Sequence, residues 1–118
     1  MKQDEHFLQV AIVNYCKYNQ IPIFAIPNGG HRYISVARKL KAEGVMSGVA
    51  DLFVFCANDH YHGLFIEVKV GYNKQSDTQK DFEKKVLRLG YLYKVVYSLD
   101  EFIEIWDEYR INRISKEN

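Results

Sequence analysis

Cysteine and proline are scarce in this chain, with two of each among 118 residues. Cys16 and Cys56 both lie in apolar stretches. Two such residues do not make a disulfide scaffold, and without a matching pair of histidines they make a poor zinc site. Buried free thiols are the expectation. So little proline, with no repeat, excludes a collagen-like or low-complexity chain. No apolar run approaches the roughly 20 residues that cross a bilayer as a helix. The start, Met1-Lys2-Gln3-Asp4-Glu5-His6, has no apolar stretch behind a basic one, so a cytoplasmic location without a membrane partner is expected. Apolar residues make up 47% and charged residues 26%, a globular balance. One domain over residues 1–118 fits that length.

Acids are missing from a long stretch. Between His6 and Ala42 there are five bases (Lys17, Arg32, Arg38, Lys39 and Lys41) and no acid. Asp100 to Glu108 reverses this, with five acids and no base. The net charge of +1 therefore hides segregated charge. A small protein of this kind can present a local anion-binding face, which permits nucleic acid as a partner without establishing it.

Periodicity places eight elements. Phe7, Leu8, Ala11, Ile12 and Tyr15 form one stripe of a helix over 4–19. A short β-prone run follows from Ile21 to Ile26, and Pro27-Asn28-Gly29-Gly30 breaks it. Tyr33 to Glu43 reads as a basic helix ended by Gly44. Asp51 to Cys56 and Gly63 to Val70 read as two strands joined in a hairpin through a turn at Asn58-Asp59. Ser76 with Gln79 is a capping box that opens a helix ended by Gly90. Tyr91 to Tyr97 is a further strand, and Ser98 with Glu101 opens a last acidic helix to about Arg110. The order α, β, α, β, β, α, β, α implies an α/β fold, a mixed sheet flanked by helices.

The chemistry lies at Asp51 and Glu67-Val68-Lys69. Alternation puts Glu67 and Lys69 on one face of an apolar strand, where burial without a partner is costly. In the hairpin the start of one strand faces the end of the other, which brings Asp51 toward Glu67. Two carboxylates and a backbone carbonyl suit Mg²⁺ or Mn²⁺. An ammonium beside them can orient a water or stabilise charge on a phosphate. The alternative is a structural ion pair at a sheet edge. Glu5 sits at the rim of the first helix's apolar stripe, either as a dipole-complementing acid or as a group reaching the sheet edge. Gln79 either serves only its cap or presents its amide to a phosphate or a bound water. Asn28, Gly29, Gly30, His31 and Arg32 combine bare N–H groups with a cation at a helix entrance, suited to phosphate or to an ordinary turn.

These pieces together resemble the VRR-NUC domain, the virus-type replication-repair nuclease of the PD-(D/E)XK superfamily. The matching segments are Glu5, Pro27 to Arg32, Lys41 to Val45, Gly48-Val49-Ala50-Asp51, Gly63 to Lys69, Ser76 to Gln79 and Gly90-Tyr91. The resemblance spans Glu5 to about Val96. Ala50 stands where the family usually has proline, a change that removes a rigid turn and no ligand. The resemblance implies a restriction-endonuclease-like αβββαβ core and metal-dependent phosphodiester cleavage leaving 5′-phosphate and 3′-hydroxyl ends. It implies Asp51, Glu67 and the Val68 carbonyl as ligands of Mg²⁺ or Mn²⁺, Glu5 as an accessory acidic ligand, direct or through water, Lys69 as the group that positions or activates the attacking water, and Gln79 as a supporting active-site residue. No organic cofactor is expected.

Small versions of the family, typical of phages and bacteria, are similar to Holliday-junction resolvases. A homodimer acting on branched DNA in a bacterial or phage-infected cell is therefore expected, since a C2 dimer offers two equivalent sites to two equivalent strands. Asn28, Gly30, Arg32, Arg38, Lys39 and Lys41 would bind the DNA backbone. The acidic helix, with Phe102, Ile103, Ile105 and Trp106, either forms the dimer surface or packs on its own sheet. The alternatives are a flap or general nicking endonuclease and a non-catalytic DNA-binding module.

Overall fold

The computed structural model describes residues 2–27 and 34–114. Eight elements follow in the expected order: α1 (Lys2–Tyr18), β1 (Ile23–Ala25), α2 (Ile34–Ala42), β2 (Leu52–Val54), β3 (Leu64–Val68), α3 (Asp77–Arg88), β4 (Leu92–Val96) and α4 (Leu99–Ile114). The sheet order is β1-β2-β3-β4. β1 and β2 pair antiparallel, as do β2 and β3, while β3 and β4 run parallel. A parallel neighbour needs a crossover, and α3 supplies it.

Alternation divides the strands between two layers. Leu52, Val54, Leu64, Ile66, Val68 and Val96 point to one face and are buried with Ile12 and Cys16 of α1 and Phe102, Trp106 and Tyr109 of α4. Phe65, Tyr93 and Val95 point to the other, with Phe82 and Val86 of α3 and with Ala50. α4 thus spends its apolar face on its own sheet. Phe102 is fully buried there, and Tyr109 donates its hydroxyl to the Cys56 carbonyl at 2.6 Å. Of the two readings of that helix, packing on its own sheet accounts for Phe102 and Trp106.

Two other expectations change. Phe7 is 59% exposed, and the stripe of α1 runs through Leu8, Ile12, Tyr15 and Cys16 instead. The period is right, but the sheet lies one residue further around the helix. Cys16 is buried, and its thiol is pushed up to about 12 by that burial, whereas Cys56 is only partly buried; neither forms a disulfide. α2 has the expected bounds within a residue or so, yet none of its residues is buried.

Gly48 fixes the approach to the site. Its φ is +85°, and a Cβ there would lie 2.5 Å from the Thr78 carbonyl oxygen at the start of α3. Both the conformation and the space demand glycine. Gly48→Ala is expected to cost about 2 kcal/mol or more, read as a lowered melting midpoint. An unchanged midpoint would mean that this contact does not hold α3 in place.

Candidate active site

The register of β2 and β3 pairs Leu52 with Ile66, which sets Asp51 across from Glu67. The backbone N–H of Val68 donates to Asp51 Oδ2 at 2.7 Å, locking that carboxylate against the end of β3. Glu67 is only 2% exposed, on the sheet face that α3 covers. One of its oxygens, Oε2, receives the Gln79 amide at 3.0 Å and faces the Lys69 ammonium at 3.5 Å. The other, Oε1, is buried with no hydrogen-bond partner.

Gln79 reconciles its two expected roles. Its Oε1 accepts from the Ser76 backbone N–H at 2.8 Å, completing the capping box of α3, while its Nε2 donates to Glu67. One rigid side chain therefore ties the start of α3 to the carboxylate. Its amide is committed to Glu67 rather than held open for a phosphate.

The electrostatics follow from crowding. Burial raises the Glu67 carboxyl to about 8, reinforced by the adjacent Asp51 charge and only partly offset by Lys69. Burial also raises Asp51, against the pull of the Val68 N–H, and the charge of Glu5 adds to the rise. Two carboxyl groups held together out of water need a proton or a cation between them. The orphaned Oε1 of Glu67 makes the same demand. The donor set is all oxygen, which fits a hard divalent ion. Among the described residues no three His, Cys, Asp or Glu side chains close into a metal cage. Glu5 stands outside the pair, with its Oε2 accepting from Asn73 Nδ2 at 3.3 Å.

Residues not singled out from the sequence border the cluster. Tyr93 is buried, and its hydroxyl accepts from Gln75 Nε2 at 3.2 Å; the same amide reaches Glu83 at 2.9 Å. Burial raises the Tyr93 phenol, and the charges of Glu67, Glu83 and Asp51 add to that. Alternation alone could have set Tyr93 on this face; nothing local marks Asn73 or Gln75.

The expected DNA contacts divide. Asn28, Gly30 and Arg32 lie outside the described residues. Arg38, Lys39 and Lys41 are exposed on α2, which packs against no other helix or strand of the described chain. They are not drawn into the carboxylate cluster. A separate cavity between β4 and α4, bordered by Asn58, Tyr61, Lys94 and Glu108, opens on the opposite side of the sheet from that cluster.

No family model and no curated protein sequence matches this chain. Among solved structures, one described as a VRR_NUC domain protein superposes with a TM-score of 0.77. It covers 92% of this chain and 88% of its own, at 26% identity. That likeness extends over nearly the whole α/β unit. This chain has the fold of that VRR_NUC domain protein, an α/β unit consistent with a PD-(D/E)XK-like core.

Proposed function

We propose that this domain is a divalent-metal-dependent, structure-selective DNA endonuclease that acts on branched DNA as a homodimer. The observation that carries the reading is the pairing of half-buried Asp51 with buried Glu67, whose Oε1 has no hydrogen-bond partner, beside the Lys69 ammonium. A purely structural ion pair between Glu67 and Lys69 has no need of a second carboxylate held against it.

Asp51, Glu67 and the Val68 carbonyl would hold Mg²⁺ or Mn²⁺, and Glu5 would reach the ion through water. The ion, when bound, supplies charge neutralisation at the scissile phosphate and a more acidic water. The chain's own groups do the rest. The Val68 N–H and the Gln79 amide fix the two carboxylates, so that their charge is not free to rotate away. Lys69, 12% exposed, is aimed at the cluster from the end of β3, where it orients the attacking water and offsets charge on the phosphate. Arg38, Lys39 and Lys41, with Arg32, would supply salt-sensitive contacts to the DNA backbone.

A dimer would not use the buried apolar face of α4. Exposed apolar groups elsewhere, Ile34 and Val36 on α2 and the neighbouring pair Phe24 and Phe55 beside β1, are the surface available to it. Two sites related by a twofold axis match the two equivalent strands of a four-way junction.

The test is cleavage of a labelled four-way junction beside flap, linear duplex and single-stranded DNA, in Mg²⁺, Mn²⁺ or EDTA. Light scattering would read the mass in parallel. Paired symmetric cuts in the junction, abolished by EDTA, are expected. Cuts in flaps or plain duplex would retain the nuclease and discard junction selectivity. Intact binding without cleavage of any substrate would leave a DNA-binding module.

A further inference from the structure

The loop between β3 and α3 carries no acid of its own. It turns through Gly71, at φ +58°, and closes with the Asn73 N–H donating to the Val70 carbonyl at 3.1 Å. Asn73 is then held from two sides. Tyr97, just past β4, donates its hydroxyl to the Asn73 carbonyl at 2.8 Å. The Asn73 side-chain amide donates to Glu5 Oε2, 68 residues away in sequence. Glu5 is close enough to Asp51 for its charge to be felt there.

We propose that Asn73 is a positioning residue that holds Glu5 toward the Asp51–Glu67 pair and thereby tunes how tightly the site binds a divalent ion. The inference rests on the metal-dependent reading above. Glu5 lies in the first turn of α1, partly exposed. An acid so placed has several rotamers in water. An amide donor fastened to the sheet through Tyr97 selects one, and uses one carboxylate oxygen while the other has no hydrogen bond among the described residues. Groups that orient a ligand-side acid in this manner change metal affinity by about 10- to 100-fold when removed. Asn73 and Glu5 are both partly exposed, so the lower end is expected.

The test is calorimetric titration of the full chain with Mn²⁺ alone, paired with cleavage rates over a range of Mn²⁺. Asn73→Ala is expected to weaken Mn²⁺ binding about tenfold, with cleavage at saturating Mn²⁺ kept within roughly threefold. Asn73→Asp, the same shape without the donor, weakens it at least as much. Asn73→Gln, which keeps an amide, restores part of the loss. In a Glu5→Gln background Asn73→Ala adds less than about twofold, because the partner is already altered. Tyr97→Phe, which frees the loop but keeps Asn73, shifts affinity in the same direction by less, and serves if Asn73→Ala does not fold. Wild-type protein that binds no Mn²⁺ would overturn the metal reading and this inference together. Normal wild-type binding, unchanged in Asn73→Ala and in Tyr97→Phe, would overturn this inference alone.

Discussion

Lys69→Ala is expected to lower single-turnover cleavage of branched DNA by about 10²- to 10⁴-fold, the usual loss when a group serving the transition state is removed. Affinity for the same DNA should change by less than about threefold, since a single phosphate contact at most is lost. The structure argues for this separation. Lys69 is largely covered, and its ammonium points at Glu67 rather than outward along a basic face. Truncation removes the one cation in contact with the carboxylate pair among the described residues, and Glu67 then holds its proton more firmly. Folding should survive, because protonation relieves the charge that Lys69 had offset. Cleavage by fluorescence-labelled substrate and binding by anisotropy, measured on one preparation, give both values. A variant that cuts at the wild-type rate would remove Lys69 from the site; one that loses binding and cleavage in proportion would make it a DNA contact instead.

Much of this arrangement was legible in the sequence because its signals are local. Asp51 and Glu67 come together through a hairpin whose register follows from alternation and from the turn at Asn58, where the side chain accepts from both the His60 and Tyr61 N–H groups. Ser76 and Gln79 announce the start of α3 by their spacing alone. The rest depends on partners far away in sequence. Phe7 has the period of a buried residue, but its face of α1 meets water, and periodicity reports a stripe without saying how far the sheet extends. α2 is amphipathic in pattern, yet nothing in the pattern reveals that none of its residues is buried and that no strand or helix of the described residues packs on it. Asn73 reaches Glu5 and Tyr97 only because a β3–α3 turn, the end of β4 and the start of α1 converge, and none of those segments names the others.

The second large effect sets stability against function at one atom. Glu67→Gln keeps the shape of the side chain, can still accept from Gln79 and Lys69 through its oxygen, and offers an amide N–H to Asp51 where the acid offers a proton. It is expected to abolish Mn²⁺ binding and cleavage while making the metal-free protein more stable at alkaline pH. The sign follows from the direction of the shift. Glu67 in the folded protein sits at about 8, raised from 4.5. Its contribution to stability is therefore full below about pH 4.5 and is lost as pH rises through about 8, because the folded state releases its proton only reluctantly. Wild-type protein in EDTA should melt progressively lower between pH 5 and about pH 9, by an amount on the order of a few kcal/mol, whereas Glu67→Gln should lose much of that slope. Mn²⁺ should return the wild-type midpoint at pH 8 and leave the variant where it was, since a ligand stabilises only the state that binds it. Melting curves across pH, with and without Mn²⁺, read all of this at once. A variant with the wild-type slope would show that the Asp51–Glu67 crowding is not what destabilises the metal-free fold. Where the slope does flatten, the chain carries a pair of acids that weaken it when empty, and that cost is intelligible only if a cation normally lies between them.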